Sequence, residues 1–213
     1  MKKLSFIALV FIFASVQLWA QSPKEVFQAS EVTWFGLDFS KAKFLGSFSQ
    51  FGEAGSKNGE QIKDVYFKGW NNLIINESKK YNLEEAFHKS KVPYDLSIVE
   101  KRNETVNPDK LFSTNSDDKN KITPEAIADM IKDYKTDKKG TGLVFIVDNF
   151  DKPSEEAVIH VTFFDMGSRK VLLTQKMTGT PRGFGIRNYW AGAIAKILHN
   201  CEKEYPNWEQ QYK

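Results

Sequence analysis

Gly142–Phe150 reads GLVFIVDNF, and two related runs follow it: Val158–Met166, VIHVTFFDM, and Lys170–Gly179, KVLLTQKMTG. The first is short, continuous and apolar, the pattern of a strand covered on both faces. The other two flank the short Gly167-Ser168-Arg169 connection, which marks a hairpin. DKPSEEA, between the first run and the second, is a turn or loop. A strand with no polar face needs apolar layers on both sides, so the rest of the chain must supply helices to cover it.

Those helices are legible on either side. Downstream, Ile186 to Glu204 carries Trp190, Ile194, Ile197, Leu198 and Cys201 on one apolar face, while Ala191, Gly192, Ala193 and Ala195 leave room for a sheet to approach. Upstream, Thr123-Pro124-Glu125 opens a helix with an N-cap, a proline at the first helical position and an acid facing the helix dipole. Ile122 and Ile127 sit where a hydrophobic staple requires them. Ile127, Met130, Ile131 and Tyr134 form the stripe to be buried. Further upstream, Gln61–Tyr81 is helical, with Ile62, Val65, Tyr66, Gly69, Trp70, Leu73 and Ile74 spaced by threes and fours. Leu83–Phe87 is a second helical piece.

Glu31–Phe39, EVTWFGLDF, reads as the first strand, and Ala42–Leu45 has the character of a brief pairing segment. Tyr94–Glu100 alternates, with Tyr94, Leu96 and Ile98 on one face, and is expected to be a strand. Lys101–Lys121 is polar, with Asn-Pro and paired aspartates, and is expected to be a long loop. The resulting order is β-α-β-α-β-β-β-α. It predicts an α/β protein of the mixed α+β kind, with a single mixed sheet and helices packed against it.

The first segment has Lys2 and Lys3, then a nearly unbroken apolar run from Leu4 to Ala14, then the small residue Ala20. This is the pattern of a secretory signal peptide over residues 1–20, with residues 21–213 as a single domain. No cysteine follows the apolar run, so no lipobox is present. Without residues 1–20 the formal charge falls from +3 toward neutrality. A near-neutral chain gives no electrostatic reason to expect nucleic acid or an anionic membrane as partner. The lysine-rich patches are short or mixed with acids and read as solvated surface. Cys201, the single cysteine, continues the last helix's apolar face and is expected to be buried.

The order of elements, together with an exported start, resembles the amino-terminal domain of the TolB family of periplasmic proteins and the periplasmic domain of the curli-secretion lipoproteins. The carrying stretches are GLVFIVDNF, VIHVTFFDMGSRKVLLTQKMTG and the helix beginning IRNYW; Val32–Gly46, VTWFGLDFSKAKFLG, is similar to bacterial envelope proteins. The resemblance implies an α/β fold like the anticodon-binding domain of some tRNA synthetases. It implies nothing about a ligand, since fold and function are separable.

Several site chemistries can be tested on spacing alone. Gly183-Phe184-Gly185-Ile186-Arg187-Asn188 precedes a helix, but Asn188 stands where a dinucleotide loop needs its third glycine. No Walker loop is present, and no cofactor is expected. Arg182, Gly183, Gly185 and Arg187 are left as an anion-binding candidate at a helix start. The competing account is that the two glycines relieve backbone strain while Phe184 packs. His88, His160 and His199 are far apart, and no HExxH or CxxC spacing exists, so no metal is expected. No GxSxG or papain-like context supports a nucleophile. Asp38, Asp148 and Asp165 fall near strand ends, where acids serve either acid–base catalysis or turns. Trp34, Trp70, Trp190 and Trp208 are candidates for stacking on a sugar; Trp70 and Trp190 lie on apolar helix faces, and Trp208 is the freest.

The reading that results is a periplasmic or secreted envelope protein that binds or assembles rather than catalyses. Its partner would be another envelope protein or a second copy, met through a sheet edge or the small-residue helix face. Two alternatives remain open. An acid pair about 5–10 Å apart in a cleft would favour a small hydrolase. An apolar pocket between helix and sheet would favour a small-ligand carrier.

Overall fold

A computed structural model describes residues 22–47, 59–119 and 121–213; residues 1–20, with their signal-peptide-like pattern, lie outside the described residues. The chain begins with α1 (Lys24–Gln28), β1 (Thr33–Asp38) and β2 (Lys43–Leu45). Residues 59–76 form α2, whose centre, Ile62–Phe67, is wound as a π-helix. There follow α3 (Leu83–Ala86), α4 (Ser97–Glu104), β3 (Phe112–Ser113) and α5 (Pro124–Lys132). The chain ends with β4 (Thr141–Asp151), β5 (Glu156–Asp165), β6 (Lys170–Gly179) and the long α6 (Gly185–Gln211).

The strands make one mixed sheet in the order β3-β2-β4-β5-β6, with β1 also on β4. β1 and β2 are two pieces of one interrupted edge. β1 pairs in parallel with the first half of β4, Thr33 opposite Gly142 and Asp38 opposite Ile146. β2 pairs in parallel with its end, Lys43 opposite Asn149. β5 and β6 continue antiparallel on the other side. With neighbours on both edges and helices on both faces, every residue of β4 is buried, as the apolar run GLVFIVDNF predicts.

The two faces are separate apolar layers. Leu143, Phe145 and Val147 join Trp70, Ile74, Trp190, Ile194 and Ile197 from α2 and α6. Val144, Ile146 and Phe164 join Ile127, Met130, Ile131 and Tyr134 from α5 and the residues after it. The α5 start is built as its sequence predicts, with the Ala126 N–H donating to Thr123 Oγ1 at 3.2 Å. Cys201 is fully buried on α6, and burial pushes its thiol pKa well up, so it is an apolar filler.

Three expectations are corrected. Tyr94–Glu100 is not a strand: only Tyr94 bridges β1, at Trp34, and Ser97 onward is α4. Asp95 accepts from both the N–H and the hydroxyl of Ser97, at 3.2 and 2.7 Å, which turns the chain into that helix. Residues 101–121 are not one loop, because α4 extends to Glu104 and β3 adds to β2 at Phe44–Leu45. The apolar stripe of α2 is broken at its π turn. The wider winding buries Ile62 and Phe67, five apart, and turns Val65 out to 55% exposure.

β1 has a second edge that no strand among the described residues covers. At its start the chain 91–95 runs alongside: Trp34 N–H donates to the Pro93 carbonyl at 2.8 Å, and Asp95 N–H donates to the Trp34 carbonyl at 2.9 Å. Beyond Gly36, two buried side-chain amides take over. Asn71 Oδ1 of α2 accepts from the Leu37 N–H at 2.7 Å, and its Nδ2 donates to the Leu37 carbonyl at 3.2 Å. Asn103 of α4 accepts from the Phe39 N–H at 2.7 Å and donates to the Leu37 carbonyl at 3.0 Å. Gly36 is required between these arrangements. Its φ is +109°, and a β-carbon there would lie 2.6 Å from Asn71 Oδ1.

Replacing Asn71 by Leu strands a buried backbone N–H. Urea unfolding is expected to show a loss of about 1–3 kcal/mol. The exposed Lys101→Ala change is expected to stay within about 0.5 kcal/mol.

Candidate functional site

The three candidate acids do not form a catalytic pair. Asp165 closes the β5–β6 turn by accepting from the Ser168 N–H at 2.6 Å. It stands opposite Thr141, at the far end of β4 from Asp148, roughly 20 Å away at about 3.3 Å per residue. Asp148 occupies a bulge in β4, where the register with β5 shifts. Its Oδ2 lies 3.0 Å from His160 Nε2, and both side chains are buried. Asp38 is fully buried at the end of β1 and is held from three sides. Arg102 Nε donates to its Oδ2 at 2.7 Å, the Tyr134 hydroxyl donates to the same oxygen at 2.6 Å, and the Ser40 N–H donates to Oδ1 at 2.8 Å. Burial, then the Asp38 carboxylate, hold the Tyr134 phenol well above its ordinary range, so it stays a neutral donor. This cluster ties α4 and the end of α5 to β1, and it leaves no carboxylate open to a substrate.

The arginine–glycine turn before α6 is a packed helix entry. Gly183 and Gly185 have φ of +129° and +72°, so the glycines do serve the backbone. The Arg182 N–H donates to the Tyr189 carbonyl at 3.1 Å, and Trp70 Nε1 donates to the Arg187 carbonyl at 2.9 Å. Both arginine side chains point to solvent. Phe184 does not pack; it is 88% exposed at the tip of the turn. Trp208 is likewise not free. It is 5% exposed and meets Tyr205 edge-on at 6.0 Å, so all four candidate tryptophans belong to the core. Among the described residues, no three His, Cys, Asp or Glu side chains gather closely enough to hold a metal ion.

A cleft does open elsewhere, at the amino-terminal end of β1. It encloses about 370 Å³, a size typical of small-molecule sites. The end of α2 gives Ile74 and Ile75, the following turn gives Tyr81, α3 gives Leu83, and the chain beside β1 gives Val92 and Tyr94. Trp34 of β1 is also part of its wall. Ser78, Lys79, Asn82 and Glu84 complete the lining.

Local sequence builds this cleft. α2 ends at Asn76, and Asn82 restarts the helix as α3 by accepting from the Glu85 N–H at 3.1 Å. The Tyr81 hydroxyl donates to the Ala191 carbonyl of α6 at 3.3 Å, which pins the turn between the two helices. Tyr94 bridges Trp34 by its backbone while its ring stays 57% exposed. Its walls are mainly apolar and aromatic side chains. The Trp34 Nε1–H has no hydrogen-bond acceptor among the described residues, but it is enclosed by the protein rather than open to the cleft. Sequence reading placed Trp34 among the stacking candidates but had no means of bringing Ile75, Leu83 and Tyr94 to it. The only local sign was an aromatic at Tyr94 beside Pro93.

Lys89 is a buried amine. Lys89 Nζ donates to the Val26 and Ala29 carbonyls at 2.6 and 2.8 Å, and sits 5.3 Å from the centre of the Tyr205 ring. It thereby fixes α1 against the last helix. Burial pushes its pKa down to about 8, only partly opposed by Glu209.

Compared with models of known protein families, with curated proteins and with solved structures, the chain matches none of them. No helix among the described residues is long and apolar enough to cross a membrane.

The Lys89 shift has a definite sign. The folded chain releases this proton near pH 8, whereas an ordinary lysine holds it to 10.5. Between those values the unfolded chain binds more protons, so stability from this group rises with pH. The buried Cys201 thiol and Tyr134 and Tyr205 phenols, held above their ordinary values, act in the opposite sense over the upper part of that window. The readout is therefore the difference: in urea unfolding from about pH 8 upward, the wild type is expected to gain stability relative to Lys89→Met.

Proposed function

We propose that this chain is a non-catalytic binding module exported to the bacterial cell envelope, and that it carries a small ligand in the cleft beside Trp34. The observation that carries the reading is the cleft itself: about 370 Å³ between helices and sheet, with apolar and aromatic walls completed by Ser78, Lys79, Asn82 and Glu84. Export rests on the signal-like pattern of residues 1–20. The hydrolase alternative finds less support, because Asp38 and Asp148 are closed into the core and Asp165 is a turn former.

A second reading, assembly with another envelope protein or a second copy, is favoured by the outer strand. β6 is ten residues long, ends the sheet, and offers backbone groups to a partner. Exposed Lys170 and Lys176 lie along it, and charges of this kind discourage edge-to-edge pairing. A monomer is therefore the expected result of light scattering after size exclusion, and a stable oligomer would favour assembly.

Leu83→Trp tests the cleft directly. The half-buried Leu83 stands in its wall, so the larger ring is expected to fill the space. The wild type is expected to enhance the fluorescence of the uncharged dye Nile red, and the variant to lose at least most of that enhancement while melting within a few degrees of the wild type. Equal enhancement by both proteins would place the probe elsewhere and defeat the reading.

A further inference from the structure

The turn before α6 holds an apolar side chain out in water on a rigid mount. Phe184 is 88% exposed, against 57% for Tyr94 and 55% for Val65, the other large apolar side chains left open among the described residues. Its backbone is extended, with φ −106° and ψ 137°, between two glycines of positive φ. The base of the turn is fixed. The Arg182 N–H is bonded to the Tyr189 carbonyl, and a β-carbon on Gly192 would overlap the Arg182 carbonyl oxygen. Little ordering of the turn therefore remains to be done on binding. The exposed residues beside Phe184 are Arg182, Gly183, Arg187 and Asn188. Arg102 forms ion pairs, whereas Arg182 and Arg187 have no carboxylate partner among the described residues. The acids at this end of the sheet are engaged elsewhere: Asp151 and Glu156 with Lys119, and Glu155 with the Tyr189 hydroxyl.

We propose that this turn is a contact point for an anionic lipid surface: Phe184 enters the interfacial layer of a bilayer, and Arg182 and Arg187 pair with lipid phosphates. A single ring encircled by polar groups is too small for the apolar centre of a protein–protein interface, which gathers several such side chains. The bilayer interface asks for less. It accepts one aromatic ring at headgroup depth, and anionic headgroups attract each nearby arginine. Guanidinium groups also match phosphate oxygens with paired hydrogen bonds. The whole chain carries a formal charge of only +3. The attraction is therefore local to the turn and acts over a Debye length, about 10 Å at moderate salt. The contact uses these three side chains, not the N–H groups of α6, and it does not depend on the cleft's being a binding site.

Sedimentation with vesicles tests the proposal, using equal parts phosphatidylglycerol and phosphatidylcholine against phosphatidylcholine alone. The wild type and its variants are purified in the same way, so residues 1–20 contribute equally to each. The wild type is expected to bind the anionic vesicles more tightly than the neutral ones. Phe184→Ala is expected to weaken that binding by on the order of tenfold, and Arg182→Gln combined with Arg187→Gln by about as much or more. Added salt is expected to weaken the wild type and to affect the arginine variant little. All three side chains are exposed, so the variants are expected to melt as the wild type does. A local readout comes from Phe184→Trp, because Trp34, Trp70, Trp190 and Trp208 are all buried. Vesicles with brominated acyl chains are expected to quench the introduced indole, read as the difference from the wild type. Equal binding by the wild type and the variants, or an introduced indole that brominated lipid leaves unquenched, would overturn the proposal. So would a wild type that binds no vesicles, including the case in which Phe184→Ala instead loses a co-purifying protein, which would give the turn to a protein partner.

Discussion

The fold depends on how the outer edge of β1 is satisfied. β1 is buried along its whole length beside the equally buried β4, so its backbone cannot turn to water for partners. On the far side no full strand is available. The amides of Asn71 and Asn103 stand in for one, each both donating to and accepting from residues 37–39. Because Asn71 belongs to α2 and Asn103 to α4, one backbone requirement fixes two helices against the sheet. The neighbouring Arg102 extends the same attachment to Asp38, and Tyr134 brings in the end of α5.

This arrangement explains why the acids near strand ends are not a catalytic site. A carboxylate held by a guanidinium, a phenol and a backbone N–H is a fastening, and its removal would loosen three elements at once. The Asp148–His160 contact, in a β4 bulge, follows the same pattern of polar groups paired inside the sheet layer. By contrast, Trp34 sits on the same strand at the end where only short backbone pairing covers the edge. There the helices α2 and α3 part around Asn82, and the space left between them becomes the cleft. Structural closure at one end of β1 and an opening at the other are thus two results of one uncovered edge.

The arginine–glycine turn shows the limit of motif reading. Two glycines and two arginines before a helix are the parts of an anion loop, yet their backbone groups are engaged in seating α6 on Trp70 and on its own first turn. The glycines are explained by their positive φ values, without any ligand. Phe184 is left exposed by that geometry, which local spacing did not anticipate.

The sequence by itself determined the elements whose patterns are strong and local. The continuous apolar run of β4, the hairpin of β5 and β6, the Thr123 cap of α5 and the apolar face of α6 were all readable, because burial of those faces needs no particular neighbour. Tertiary structure decided what depended on distant partners. Residues 94–100 alternate like a strand, but Asp95 caps Ser97 and Val99 packs under β1, so a helix forms. Nothing in residues 71 and 103 announces that two asparagines will complete a sheet edge. Nor does Trp34 reveal that Leu83 and Tyr94 will join it around a cleft. Period and propensity act between neighbours in the chain, whereas an unpaired backbone group or an open pocket exists only after the layers have come together.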